Sequence, residues 1–295
     1  MRWMLVCAGV VASTTLLQGQ TVPGVQNASR VKLVVAAEDT QPALNVVLPD
    51  GPGVVMKVVF PEHVTVRRRG GTEGERLYLY QPGKSGARPA WRTVGQSIEY
   101  ERDLEQGVHM LARATMQEDG VLFHYELRNG SNADYEMALA ITDPRMVSTL
   151  HDVRLERTYV HHKEGFELLA SETPERLTMP LNQWLPARYL ASYTWPVPAQ
   201  RVEKRADGIT YYNKSRVVDE PMVATVSTDG KWVAASFTST TGNVWSNPEL
   251  TCQHVDPAKP LPAGGSAVIE VKILIFKGTL EDALRMVRAQ RSLLQ

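Results

Sequence analysis

The tract TGNVWSNPELTCQHVDPAKPLPAGG, residues 241–265, concentrates the side chains best suited to chemistry. Cys252, His254 and Asp256 stand at alternate positions, with Trp245 and Asn247 just upstream. A thiol, an imidazole and a carboxylate can ligate a metal or move protons. An indole and an amide can grip a sugar. In an extended strand alternate residues share one face, about 6.5–7 Å apart per step. Two such residues can reach one ion, but three in succession do not converge without a bulge, and Pro257 ends the run. Zinc-type spacings and HExxH are absent, and the neighbours His161 and His162 point to opposite faces of a strand. The spacing therefore predicts no metal and no cofactor. Cys252 reads as a small buried residue, with His254 and Asp256 more exposed near the strand's end.

Other chemistries find less support. The chain has no G-x-S-x-G, no Cys–His pairing whose strand geometry would build a triad, and no phosphate-cradling glycine loop. Sugar recognition fits the residue types better, because carbohydrates present flat C–H faces and many hydroxyls. The segment ETPERLTMPLNQWLPARYLASYTWPVPAQ, residues 172–200, carries five prolines together with Trp184, Tyr189, Tyr193 and Trp195 beside Asn182, Gln183 and Arg188. Proline at that density forbids a central strand or a long helix, and long irregular connections are often functional. The ligand-binding candidates are Asn182, Trp184, Arg188, Tyr193 and Trp195 on this segment, with Trp245 and Asn247 before the late strand. The catalytic candidates are His254 and Asp256.

The elements that must position these residues are mostly strands. VLFHYELRNGSN (121–132) alternates strictly, with Val121, Phe123, Tyr125 and Leu127 on one face and a turn at Asn129-Gly130. Val108, Met110, Ala112, Ala114 and Met116 alternate likewise before Asp119-Gly120, so the two segments are expected as an antiparallel pair. Further strands are expected at 31–37, 43–48, 53–60, 76–80, 135–142, 151–160, 208–213, 222–228, 231–239, 250–255 and 266–276. A helix over 279–291 is expected from an N-cap at Thr279, acidic residues at its start, arginines at its end and a Leu280/Leu284/Val287 stripe. Many short strands and one helix indicate an all-β fold, a large antiparallel two-layer sandwich.

Lys+Arg and Asp+Glu each total 32, so formal charge is zero. That balance argues against nucleic acid or an anionic membrane as partner. Residues 1–20, MRWMLVCAGVVASTTLLQGQ, place Arg2 before a short apolar run followed by small and polar residues. This reads as a signal peptide and not a membrane span, which predicts export to the periplasm or beyond the cell. The remaining residues, 21–295, are expected as a single domain whose one cysteine, Cys252, forms no internal disulfide.

Three segments in this order resemble the galactose mutarotase-like (supersandwich) superfamily, over about residues 100–277. DGVLFHYELRNGSNADYEMAL resembles the strand–turn–strand of such domains. LTCQHVDP is similar to the late strand on which aldose epimerases place a cysteine, an acidic residue and a proline. PLPAGGSAVIEVKILIF resembles their final turn and closing strand. The resemblance implies a sandwich that binds sugars on a concave face. Epimerase members use a histidine and a glutamate as acid and base. Here His254, or Asp256 in a shifted reading, stands where that glutamate is expected. The resulting expectation is an exported carbohydrate-binding protein. The alternatives are an epimerase-like enzyme using His254 with a carboxylate, and a non-catalytic cell-envelope interaction domain.

Overall fold

The computed structural model describes residues 22–51, 53–80, 88–169, 218–240, 243–246 and 251–295, and the backbone of 184–185, 202–204 and 210–212. The signal-peptide reading of 1–20 lies outside these residues. So do Asn182, Arg188, Tyr193, Trp195 and Asn247.

In chain order, β1 (Gly24–Gln26), β2 (Lys32–Val35), β3 (Ala43–Val47) and β4 (Val54–Val59) run as consecutive antiparallel neighbours. Strands β5 (His63–Arg68) and β6 (Glu75–Leu79) form a hairpin in a second sheet. A meander follows of β7 (Arg92–Val94), β8 (Ser97–Asp103), β9 (Val108–Gln117) and β10 (Gly120–Asn129). The chain then crosses back: β11 (Tyr135–Ala140) pairs with β5, and β12 (Asp143–Met146) pairs with β4. Next come β13 (Thr158–His162) and β14 (Gly165–Leu168). Strands β15 (Trp184–Leu185), β16 (Val202–Lys204) and β17 (Thr210–Tyr212) form a small separate sheet. Strands β18 (Met222–Val226) and β19 (Trp232–Phe237) precede a two-stranded ribbon, β20 (Asn243–Trp245) with β21 (His254–Asp256). The last strands are β22 (Lys259–Leu261) and β23 (Ser266–Lys277), and α1 (Leu280–Gln290) closes the chain.

The largest sheet has nine strands in the order β14-β13-β18-β19-β23-β10-β9-β8-β7. Five- and four-stranded sheets, β1-β2-β3-β4-β12 and β22-β11-β5-β6, form the opposing layer. One continuous core joins them: Leu33, Leu44 and Val58 from the first, Val64 and Val66 from the second, and Met110, Phe123, Tyr125 and Ile269 from the nine-stranded sheet. Phe60 is the central contact, with ring centroids 5.0 Å from both Phe123 and Tyr125, and the Tyr100 hydroxyl donates to its carbonyl at 2.7 Å. Every inward residue expected from alternation in β9 and β10 is buried, and the two strands pair from Gly120–Gln117 to Asn129–Val108. Alternation dictates this result, since burying one face of each strand gains about 25 cal/mol per Å² of apolar surface removed from water.

The helix begins where the sequence places it. The Thr279 side chain accepts from the Asp282 amide, and the Asp282 carboxylate accepts from the Thr279 amide, a reciprocal cap. Leu284 and Val287 dock on Met222, Ala224, Val233, Ala235 and Leu274, so α1 covers the outer face of the large sheet. Several strands differ from expectation: β1, β5, β7, β8, β12, β14, β20 and β22 lie outside the expected segments, and β21 begins at His254, within the expected 250–255 run. β5 and β8 carry charge-rich sequences, HVTVRR and SIEYERD, that hide their alternation. β13 starts at Thr158, later than the 151–160 expectation, because Asp152 holds the preceding turn by accepting from the Glu156 and Arg157 amides. No helix among the described residues is long and apolar enough to cross a membrane.

Candidate functional site

The chemistry-bearing strand is held between two layers. On one side, residue 252 bridges Arg145 of β12 in antiparallel fashion, and the Gln253 amide donates to the Pro144 carbonyl at 3.1 Å. Continued by two residues, that register sets Asp143 opposite His254. Alternation then sends Asp143 and Arg145 to the same side as Cys252, His254 and Asp256. Gln253 points the other way. Its Oε1 accepts from the Ser236 amide and hydroxyl, and its Nε2 donates to Thr225 Oγ1 and the Ala234 carbonyl.

The result is a buried polar cluster. His254 is 3% exposed, Asp256 0%, Asp143 1% and Cys252 1%. Nδ1 of His254 lies 3.0 Å from Asp256 Oδ2, and Nε2 lies 3.5 Å from Asp143 Oδ1. Asp256 Oδ1 accepts from the Thr142 amide at 3.2 Å, while Arg145 Nε donates to Asp143 Oδ2 at 2.6 Å. Donor atoms of Asp143, Cys252 and His254 all fall within 4.8 Å of one another. The indole of Trp245 caps the group, stacked on the His254 ring at 4.3 Å with planes 8° apart.

Burial and charge set the protonation of this group. Burial opposes charge on His254, but the Cys252 sulfur and the hydrogen-bonded Asp256 carboxylate outweigh it and hold its pKa well above the ordinary value. Burial pushes the Asp256 carboxyl up, against its contacts with His254. Glu62, at the edge of the cluster, is raised by burial and by Asp143, with His254 and Arg145 opposing. His63 is pushed down to about 4 by burial, by Arg76 and by His254.

Two sequence expectations are corrected here. His254 and Asp256 are buried, because β20 and β12 cover them from both sides. Cys252 and His254 do come together on this segment, their ligand atoms lying within 4.8 Å of each other and of Asp143. Alternate residues can turn their tips toward one another. Asp143, Arg145 and Glu62 carry no local sequence signal, because their approach is set by sheet topology alone. Of the ligand-binding candidates, Trp245 joins the catalytic candidates, and Trp184 is placed by backbone in β15.

A concave feature is tied to the cluster through Arg145. A cleft of about 650 Å³ is lined by Asp39, Gln41, Tyr80, Arg88 and Trp91, among others. Asp39 is anchored by Lys57 Nζ at 2.8 Å, and although burial raises its pKa, Lys57 and the Gln41 amide bring it below the ordinary carboxylate value. Gln41 Oε1 accepts from Arg145 Nη1 at 3.1 Å, so one guanidinium ties the cleft wall to Asp143. Trp91 is braced edge-on by Tyr100, centroids 4.7 Å apart. None of these cleft residues lies in the tracts singled out from the sequence. Their dispersal between residues 39 and 91 leaves no local signal.

Fold and cluster together define an antiparallel β-sandwich with one docked helix and a buried Cys–His–Asp group tied through Arg145 to one wall of a cleft. No protein-family model matches the chain, and no curated protein matches it. Among solved structures it is similar to the galactose mutarotase related enzyme from Lactobacillus acidophilus, at 9% identity and TM-score 0.45, covering 88% of this chain and 98% of that one. An Escherichia coli K12 protein provisionally assigned as an aldose 1-epimerase is similar at 11% identity and TM-score 0.45, covering 88% and 99%. The α-N-acetylgalactosaminidase NagBb from Bifidobacterium bifidum is similar at 10% identity and TM-score 0.47, over 90% of this chain and 38% of that one.

Proposed function

We propose that this protein is an exported, carbohydrate-recognising β-sandwich whose ligand lies in the cleft of Asp39, Gln41, Tyr80, Arg88 and Trp91. The observation that carries this reading is the lining itself. Two aromatic side chains share one cleft with a carboxylate, an amide and a guanidinium. That mixture suits an apolar C–H face ringed by hydroxyls, and the volume lies in the range of small-molecule sites. Lys57 and Arg145 fix Asp39 and Gln41 in advance, which lowers the ordering cost of binding. Further contacts are proposed, on residue type alone, from Asn182, Trp184 and Arg188, from Tyr193 and Trp195, and from Trp245 and Asn247. The short apolar run after Arg2 supports export to the periplasm or the exterior.

A second reading is proton transfer at a sugar by His254 with a carboxylate. Its support is His254 between Asp256 and Asp143, coupled to Glu62 at the cluster's edge. Burial of His254 and Asp256 favours binding in the cleft over this alternative.

Titration with a panel of mono- and oligosaccharides, read by tryptophan fluorescence and calorimetry, tests both. A ligand should emerge whose Kd weakens at least about tenfold in Trp91→Ala and in Asp39→Asn, the loss of roughly one stacking or charged hydrogen-bond contact. If no glycan binds, or both variants bind as well as the unaltered protein, the cleft is not a sugar site. Exchange of anomeric or epimeric NMR signals, lost in His254→Gln, would establish the enzyme reading in its place.

A further inference from the structure

The buried cluster carries an inference separate from the sugar cleft. We propose that Asp143, Cys252 and His254 form a binding site for a borderline divalent transition ion of the zinc(II) class. The three donors come from two strands whose register faces Asp143 to His254, and their ligand atoms lie within 4.8 Å of one another. An ion with bonds of about 2.0–2.3 Å in tetrahedral geometry holds its donors about 3.3–3.8 Å apart. The Asp143 Oδ1 to His254 Nε2 separation is 3.5 Å.

The second observation is Asp143 Oδ1. Asp143 is 1% exposed, and this oxygen has no hydrogen-bond partner among the described residues. A buried carboxylate oxygen left without a donor is costly. Its twin, Oδ2, is taken by Arg145 at 2.6 Å, so the carboxylate is clamped with the open oxygen toward the thiol and imidazole. An ion there would satisfy it.

The outer partners fit the same reading. Asp256 Oδ2 sits 3.0 Å from His254 Nδ1, which leaves Nε2 for the ion, and the Thr142 amide steadies Asp256. Metal-binding histidines characteristically use the second ring nitrogen in this way. A sulfur and a nitrogen among the donors exclude calcium and magnesium, which take oxygen ligands, and favour zinc or cobalt. Binding forms bonds to Sγ, Nε2 and Oδ1 and expels the thiol proton and any Nε2 proton to solvent. Three donors on one strand would not converge. Here the third donor is Asp143, from β12, and the strand supplies only two.

The test uses the full chain, stripped with a chelator and titrated with cobalt(II) and then zinc(II). Cobalt at one equivalent should give a near-ultraviolet thiolate charge-transfer band with intense visible bands, and zinc should displace both. Cys252→Ser should lose the near-ultraviolet band. Asp143→Asn, an isosteric change, and Asp256→Asn, an outer partner, should weaken zinc binding by about 10–100-fold. A folded, unaltered protein that shows no charge-transfer band at excess cobalt overturns the proposal, whatever the variants do. Binding that Cys252→Ser and Asp143→Asn leave unchanged overturns it too. In either case the cluster is a proton-sharing Cys–His–Asp group without a metal.

Discussion

The indole of Trp245 lies flat on the imidazole of His254, with ring centroids 4.3 Å apart and planes 8° from parallel. His254 is held protonated by Cys252 and Asp256 despite its burial, so the stack is a cation resting on a π face, an arrangement that strengthens when desolvated. An imidazolium in contact with indole quenches its fluorescence. His254→Gln should therefore brighten tryptophan emission, and the same change in a Trp245→Phe background should not. In the unaltered protein the quenching should persist through neutral pH and lift only above the ordinary histidine range, because the folded-state pKa is raised. Relief centred near the ordinary histidine value of about 6.5 would contradict the charged stack.

Glu62 predicts a trend of the same sign, read as stability. Burial and Asp143 raise its pKa above the ordinary value of 4.5, so the folded protein binds this proton more tightly than the unfolded chain does. That contribution is present below pH 4.5 and is lost as pH rises through the raised folded value. Glu62→Gln should consequently melt higher than the unaltered protein at about pH 7, with a smaller gain or none near pH 4. Equal melting shifts at both pH values would show that Glu62 is not strained by its neighbours.

At the C-terminal helix the sign reverses. Asp282 is lowered to about 2 by Arg285, by the Thr279 side chain and by the Thr279 amide. Its contribution is present above pH 3.8 and is lost as pH falls toward 2. Asp282→Asn should flatten the acid limb of the stability curve in that window. Thr279→Ala should cost about 1 kcal/mol at neutral pH by removing the reciprocal cap, read by denaturant unfolding.

Gly120 is the tightest point of the core meander. A Cβ there would lie 2.0 Å from the Ile273 carbonyl oxygen, an atom of the paired strand's backbone. Gly120→Ala must push β10 away from β23 and should cost about 1–3 kcal/mol or more. A variant as stable as its parent would mean that this end of the sheet is looser than the register indicates.

Much of the scaffold was legible in the sequence. Alternation located β9, β10 and the inward sets Val108–Met116 and Val121–Leu127, and cap chemistry located α1, because those signals are local. β5 and β8 escaped because arginine and glutamate occupy their outer faces, where Arg67 pairs with Glu136 and Arg92 and Arg113 both reach Glu99. For the site, Cys252, His254, Asp256 and Trp245 could be singled out by type. Their burial and their partners could not, since Thr142 meets Asp256 across 114 residues of chain. Nothing in a short window encodes that meeting.

Gln253 also decides something that hydrophobicity leaves open. The residues around it, Cys252, Val255 and His254, are all buried, so a shift of this strand by one position would still bury apolar and polar groups alike. Such a slip would exchange the two faces and carry Gln253 into the cluster. Its four side-chain hydrogen bonds to Ser236, Thr225 and Ala234 would then go unmade. The amide thus acts as an index pin: it fixes the phase of the strand, and with it which atoms face Asp143.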